Sequence, residues 1–325
     1  MKAILCHAFG PIDTLRYEDT DDPLCGPGQV LIEVMAAGVN FPDALLVRGE
    51  YQSKPPLPFI PGSEVAGFVK ALGVGVQGLS VGDRVAAFCG TGGYATQAVV
   101  PASHVFPLPA QVPFTTAAGM VVTYGTSYHA LKDRAQLCSG ERLLVLGAAG
   151  GVGLAAVELG KHLGATVVAA ASTPAKLAIA TAHGADDVLD YSTVDLRTEL
   201  KRRFAKGIDV VVDPVGGDFS EAALRSLAWA GRYLVVGFTA GRIPAIPSNL
   251  LLLKSAALLG VLWGATLKAD PIQQAANLQI LFSLVANGSL TPFIESVQPL
   301  SEAPTVLTRL MSRQVTGKIV LSMSA

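Results

Sequence analysis

Residues Leu143 to Gly153 read Leu-Leu-Val-Leu-Gly-Ala-Ala-Gly-Gly-Val-Gly. Four apolar residues give way to a glycine-rich turn, and the helical pattern Leu154 to Leu163 follows. A dinucleotide-binding βα unit is written this way. The strand delivers the chain to a tight turn, where missing side chains let backbone N–H groups approach a pyrophosphate at the positive end of a helix. Gly150 and Gly153 supply the missing side chains, while the first position of the usual G-x-G-x-x-G is Ala148. Glycines between a strand and a helix also occur where nothing binds, so the surroundings decide the reading.

Downstream, apolar runs alternate with helical ones. The runs Arg142 to Leu146, Thr166 to Ala171, Asp187 to Leu189, Ile208 to Val212, Tyr233 to Val236 and Ala257 to Val261 predict parallel strands with helical crossovers, a doubly wound α/β sheet. Gly231 and Gly237 bracket the fifth run, and Asp213, Pro214 and Gly216 follow the fourth. Strand ends matter because ligands of open α/β sheets sit beyond the carboxyl edge. Upstream, Gln29 to Gly38, Glu64 to Leu72, Asp83 to Phe88 and Tyr94 to Val100 are short β-rich runs between Gly and Pro, which predict a small barrel-like domain. A helical stretch, Thr115 to Asp133, links the two patterns. After Lys268 come a predicted helix, Ile272 to Asn287, and strands Phe293 to Val297 and Lys318 to Leu321, which read as a return to the first domain.

The chain has 325 residues, more than one core usually accommodates, so two domains are expected. Half the residues are hydrophobic and 15% are charged, which suits buried parallel sheet and argues against disorder. A net charge of -1 gives no general attraction for nucleic acid or anionic membrane. The longest apolar stretches, Leu143 to Val157 and Ser255 to Leu267, contain glycines and are too short to span a bilayer. The N-terminus lacks the apolar core of a secretory signal, so the expectation is a soluble, cytoplasmic protein. Cys6, Cys25, Cys89 and Cys138 are scattered, as buried thiols of a reducing compartment are, and the five histidines show no metal-binding spacing.

Five motifs in order carry a resemblance over essentially the whole chain. They are Gly38-Val39-Asn40-Phe41-Pro42-Asp43, Pro61-Gly62-Ser63-Glu64-Val65-Ala66-Gly67, Gly82-Asp83-Arg84-Val85, Ala148 to Gly153, and the closing Gly317-Lys318. The chain resembles the medium-chain dehydrogenases/reductases, specifically their zinc-free quinone oxidoreductase branch related to zeta-crystallin. The resemblance implies a GroES-like β-barrel catalytic domain from residues 1–122 and 264–325, and a Rossmann domain from 123–263. It also implies a homodimer through the Rossmann domain, by pairing of the strand at Ala257 to Val261. Zinc-dependent relatives place a cysteine in the loop that here reads VNFPD and a histidine in PGSEVAG. Here Asn40 and Ser63 stand instead, so no metal is expected; Glu64 and Asp43 remain as oxygen donors or as members of a turn or ion pair. The stretch after Asp83 has one cysteine where a structural zinc lobe needs four.

Dinucleotide choice is legible at the second strand. NAD-binding units carry an acid about 20 residues past the turn, and between Glu158 and Asp186 there is none. The strand ends Ala170-Ala171-Ser172-Thr173, with Lys176 following, and a hydroxyl and a cation there suit a 2′-phosphate. In the resembled reductases a serine or glycine, a lysine and a tyrosine hold that phosphate. The matching residues are Ser172, Lys176 and Tyr191, so NADPH is the expected cofactor.

The resemblance further implies Ala149, Gly150, Gly151 and Val152 at the pyrophosphate, and Asn40, Thr126, Val236, Gly237, Phe238 and Lys318 elsewhere along the cofactor. Tyr51, Asn40 and Asp43 are the implied catalytic residues, with Tyr51 as the candidate proton donor because its hydroxyl is neutral at pH 7. The leading expectation is an NADPH:quinone reductase acting on a small molecule. Reduction of activated C=C bonds in enones, alkenals or enoyl thioesters remains the alternative, and a non-catalytic protein that binds NADPH or RNA is the reading from another class. Lys201-Arg202-Arg203 is better read as a solvated helix face than as an RNA contact.

Overall fold

A computed structural model describes residues 1–323. The chain divides into two compact units, Met1–Gly125 together with the segment from Gly264 on, and Thr126–Trp263. The expected first domain also includes residues 324 and 325, which lie outside the described residues.

In chain order the first unit begins with β1 (Lys2–Leu5), β2 (Arg16–Asp19), β3 (Gln29–Gly38), β4 (Glu64–Leu72), β5 (Arg84–Phe88), β6 (Gln97–Pro101) and β7 (Val105–Pro107). The second unit holds β8 (Arg142–Leu146), β9 (Thr166–Ala171), β10 (Asp187–Asp190), β11 (Ile208–Asp213), β12 (Leu227–Val235) and β13 (Ala257–Gly260). The chain then returns to the first unit as β14 (Ile294–Pro299) and β15 (Lys318–Ser322).

The main sheet of the first unit runs β14-β15-β3-β4-β5-β7, with β6 paired to β3. In β3 the alternating residues Val30, Ile32 and Val34 face the core, where they join Val65, Val85, Val100 and Ile319. Period-two burial of β-branched residues is what fixes this register. Pairing of Val320 with Gly38 sets the start of β15 beside the loop that follows β3.

All six strands of the second unit are parallel, in the order β10-β9-β8-β11-β12-β13. That order reverses between β8 and β11, and open α/β sheets receive ligands beyond the carboxyl ends at such a reversal. Strand β8 is apolar on both faces because helices cover both sides.

Two expectations are corrected. The fifth strand begins at Leu227 rather than Tyr233, because the register slips between Ile208↔Leu227 and Val210↔Arg232, and the bulge Trp229-Ala230-Gly231 interrupts the apolar pattern. The helical stretch Thr115 to Asp133 is not continuous. Helix Phe114–Ala118 closes when the N–H groups of Gly119 and Met120 turn back to the carbonyls of Thr115, Thr116 and Ala117, and helix Val121–Tyr128 then starts afresh. Its continuation, His129–Arg134, is wider, with the Ala135 N–H reaching the carbonyl of Ala130. Among the described residues, no helix is long and apolar enough to cross a membrane.

Candidate functional site

The glycine turn connects β8 to helix Gly151–His162, whose N-cap is Gly150. The first bond of that helix runs from Leu154 N–H to Gly150 O at 2.7 Å. The N–H groups of Gly151, Val152 and Gly153 therefore have no preceding helical carbonyl, and together with the helix dipole they form an anion-receiving end. Ser127 Oγ donates to Val152 O at 2.9 Å and ties the turn to helix Val121–Tyr128, where Thr126 is buried.

The glycines divide the work differently from the sequence reading. Gly147 carries the tight turn, at φ 59°, while the pattern's first position, Ala148, is fully buried. A Cβ on Gly153 lies 2.2 Å from Gly147 O, so this glycine permits the helix to pass against the turn. A Cβ on Gly150 meets only Gly147 O at an ordinary 3.5 Å, and that residue leaves the approach to the helix end open.

At the carboxyl edge, Asp190 of β10 lies opposite Ala171 of β9, so Tyr191 and Ser172 follow on adjacent strands, and Tyr191 N–H donates to Ala171 O. The Tyr191 ring rests on Phe219 with centroids 4.3 Å apart. Lys176 is in the first turn of helix Pro174–Ala182, where Thr173 caps its backbone N–H. Ser172, Tyr191 and Lys176 are all partly exposed.

Val236, Gly237 and Phe238 follow β12, and the N–H groups of Val236 and Gly237 both donate to Asp213 O. Asp213, buried at the end of β11, was not singled out from sequence as a site residue. Its Oδ1 accepts from Val215 and Gly216 N–H, and its Oδ2 from Ser220 and Tyr233 hydroxyls, so it fixes the loop against which Phe238 packs.

The first unit holds a buried polar knot. Lys318, 5% exposed at the start of β15, donates to Val39 O at 2.6 Å, Asn40 Oδ1 at 2.7 Å and Glu64 Oε1 at 2.9 Å. Asn40 Nδ2 donates to Glu64 Oε1 at 2.8 Å and to Ser63 Oγ at 3.3 Å. Glu64, fully buried, accepts the Val122 N–H on its other oxygen at 2.7 Å. An ammonium has three donors and a carboxamide two N–H groups, so every donor of the Lys318 and Asn40 side chains is used inside the unit. The resemblance implies that these two side chains lie along the cofactor; within the unit both are buried in the knot.

Asp43 is also fully buried. Its Oδ2 accepts Asn40 N–H and Tyr94 hydroxyl, both at 2.8 Å, while its Oδ1 has no hydrogen-bond partner among the described residues. Burial pushes its pKa up to about 6, against the opposing pull of Tyr94, the Asn40 N–H and Lys318. The resemblance implies a catalytic role for Asp43, which here is enclosed and bonded to Tyr94. Between about pH 4 and 6 the folded protein binds this proton more tightly than the unfolded chain does, so stability falls as pH rises through that window, by about 3 kcal/mol. Unfolding free energies of the native protein and Asp43→Asn across pH 4 to 7 should show this slope in the first and its loss in the second; parallel profiles would refute it. Tyr51 is partly buried against the same core, and burial, then the Asp43 charge, raises its pKa, so it keeps its proton at neutral pH.

This donor set does not fit a metal. The Asn40 amide turns N–H groups toward Ser63 and Glu64, and an ammonium already neutralises Glu64. Cys89 is held as a thiol, first by burial and then by the charges of Glu64 and Asp43. Among the described residues, no three His, Cys, Asp or Glu side chains are grouped to hold a metal ion.

Residues 26–110 match the family described as the alcohol dehydrogenase GroES-like domain, and residues 151–279 match the zinc-binding dehydrogenase family. The quinone oxidoreductase-like protein 2 homolog of Nematostella vectensis is 36% identical over 324 residues, covering 99% of this chain and 88% of that protein. The chain belongs to the zinc-free, quinone oxidoreductase-like branch of the medium-chain dehydrogenases/reductases. Escherichia coli quinone oxidoreductase, solved complexed with NADPH, superimposes with a TM-score of 0.93 at 29% identity, covering 99% of this chain and all of that one. The human synaptic vesicle membrane protein VAT-1 homolog is 30% identical over 344 residues, covering 99% of this chain and 86% of its own length. In this branch the second unit is the Rossmann domain and the first the GroES-like domain.

Proposed function

We propose that the chain is a metal-independent reductase that takes reducing equivalents from NADPH and delivers them to a quinone. The observation that carries this reading is the placement of Ser172 and Tyr191 just past the paired Ala171 and Asp190 at the carboxyl edge, with Lys176 in the following helix and no acid at the end of β9. Asp190, on the neighbouring strand, is occupied by the N–H and hydroxyl of Ser192. A 2′-phosphate is attracted there, whereas an acid at the end of β9 would repel it.

In this reading the N–H groups of Gly151 and Val152 hold the pyrophosphate, with Ala149 and Gly150 lining its approach, and Thr126 and Val236 to Phe238 orient the nicotinamide half. NADPH supplies the hydride. Tyr51 donates a proton to the acceptor's oxygen, so that one hydride and one proton convert a quinone to a hydroquinone. Asn40, Asp43 and Lys318 act as positioning residues through the buried knot. A quinone spreads incoming charge over two oxygens, which is why hydrogen bonding and orientation suffice.

Initial rates of NADPH oxidation with 1,4-benzoquinone, 9,10-phenanthrenequinone, an alkenal and crotonyl-CoA test the assignment. Faster turnover of the two quinones supports it; predominant turnover of the alkenal or the thioester replaces it with C=C reduction. Lys176→Ala should weaken NADPH binding by about 1.5 to 3 kcal/mol, roughly ten- to hundredfold, and leave NADH binding unchanged. Equal losses for both cofactors would remove Lys176 from the phosphate site.

The same reading includes a homodimer. Among the described residues strand β13 pairs only with β12, and its Leu258 is exposed, so an apolar edge is open to a second copy. Light scattering at micromolar concentration should return twice the chain mass; a monomer would count against it.

A further inference from the structure

At the amino edge of the parallel sheet, away from the carboxyl ends that receive the cofactor, a groove of about 630 Å³ runs between the starts of β11 and β12 and the end of helix Ser248–Lys254. Five cations line it, Arg197, Lys201, Lys206, Arg225 and Lys254, and no carboxylate does. In a chain with a net charge of -1 this is a concentration of one sign. Arg225 is paired with Glu221, and Lys254 donates to the carbonyls of Arg225 and Leu227, covering oxygens that would otherwise repel an anion. Arg197, Lys201 and Lys206 stand exposed around the opening.

Trp229 completes the wall. It is 76% exposed, and it projects from the bulge of β12, where Ala230 adopts φ 57°, a left-handed conformation disfavoured for a residue with a side chain. An indole and several cations lining one groove offer stacking and charge-assisted hydrogen bonds together, the pair of interactions that a planar aromatic anion uses.

We propose that this groove is a second ligand site, separate from the cofactor edge, for a nucleoside phosphate, whose base stacks on Trp229 and whose phosphates are met by Lys201, Lys206 and Arg197. The groove's volume lies within the range of small-molecule sites, and it suits a compact ligand better than an extended surface.

The chain has two tryptophans, and Trp263 is buried, so 19F NMR of protein labelled with 5-fluorotryptophan gives two resonances. Trp229→Phe identifies the Trp229 signal. Adding ADP should shift that signal saturably, while adenosine and inorganic pyrophosphate need about tenfold more for the same shift. The variant K201E/K206E should raise the half-saturating ADP concentration by about tenfold or more. Gly150→Ala, at the glycine turn on the other edge of the sheet, should leave it unchanged. An unmoved Trp229 signal, equal effects of ADP and pyrophosphate, or an undiminished response in K201E/K206E would overturn the proposal. A Trp229 shift that depends on protein concentration alone would give the groove to a second copy. Sedimentation with anionic phosphatidylserine vesicles that Trp229→Phe abolishes would give it to a membrane surface; either result overturns the nucleotide site.

Discussion

Lys318→Met is expected to destabilise the protein by about 3 to 5 kcal/mol, the range for removing one partner of a buried ion pair. The ammonium and the Glu64 carboxylate are 2.9 Å apart, at 6% and 0% side-chain exposure, so water cannot replace the lost partner. The substitution also strips a donor from Val39 O and Asn40 Oδ1. Glu64→Gln alone leaves the ammonium charge uncompensated and should cost a similar amount. In the double variant neither charge is left alone, so its loss should fall short of the sum of the two singles by more than about 1 kcal/mol. Denaturant unfolding of the four proteins closes the cycle. Strict additivity, or a Lys318→Met loss below about 1 kcal/mol, would mean that solvent reaches the knot.

The second large effect concerns the glycine turn. Gly153→Ala places a methyl 2.2 Å from Gly147 O and 2.9 Å from Ala148 Cα, backbone atoms that cannot rotate away. A forced shift of this kind costs about 1 to 3 kcal/mol or more, and it moves the helix end away from the turn it completes. Both stability and NADPH affinity should drop, read by unfolding and by fluorescence titration. Gly150→Ala is the control. Its Cβ has room and its backbone, at φ -81° and ψ 169°, suits alanine, so stability should change by less than about 1 kcal/mol while NADPH affinity falls. Equal stability losses at both positions would contradict the division of roles between the two glycines.

Much of the second unit was legible because its signals are local. Apolar runs such as Leu143 to Leu146, turn glycines and the missing acid at Ser172 are short-range patterns, and each corresponds to one strand end or one turn. The failures were local conflicts resolved at a distance. Trp229-Ala230-Gly231 breaks the alternation of a strand that pairing with β11 and β13 nevertheless sustains. The role of Gly147 was hidden because several glycines in a row satisfy the same pattern, and only the backbone angle and the contact at Gly153 tell them apart.

The sequence by itself determined the alternating sheet, the order of the two kinds of domain and the branch of the family. Tertiary structure alone decided which partners Asn40, Asp43 and Lys318 find. The lone lysine that opens Lys318-Ile-Val-Leu and the acid of Ser63-Glu64-Val65 are 254 positions apart, and nothing local says that each neutralises the other. Burial makes the difference: a charge removed from water must find its partner, and the chain path of β15 beside β3 and β4 brings that partner to it.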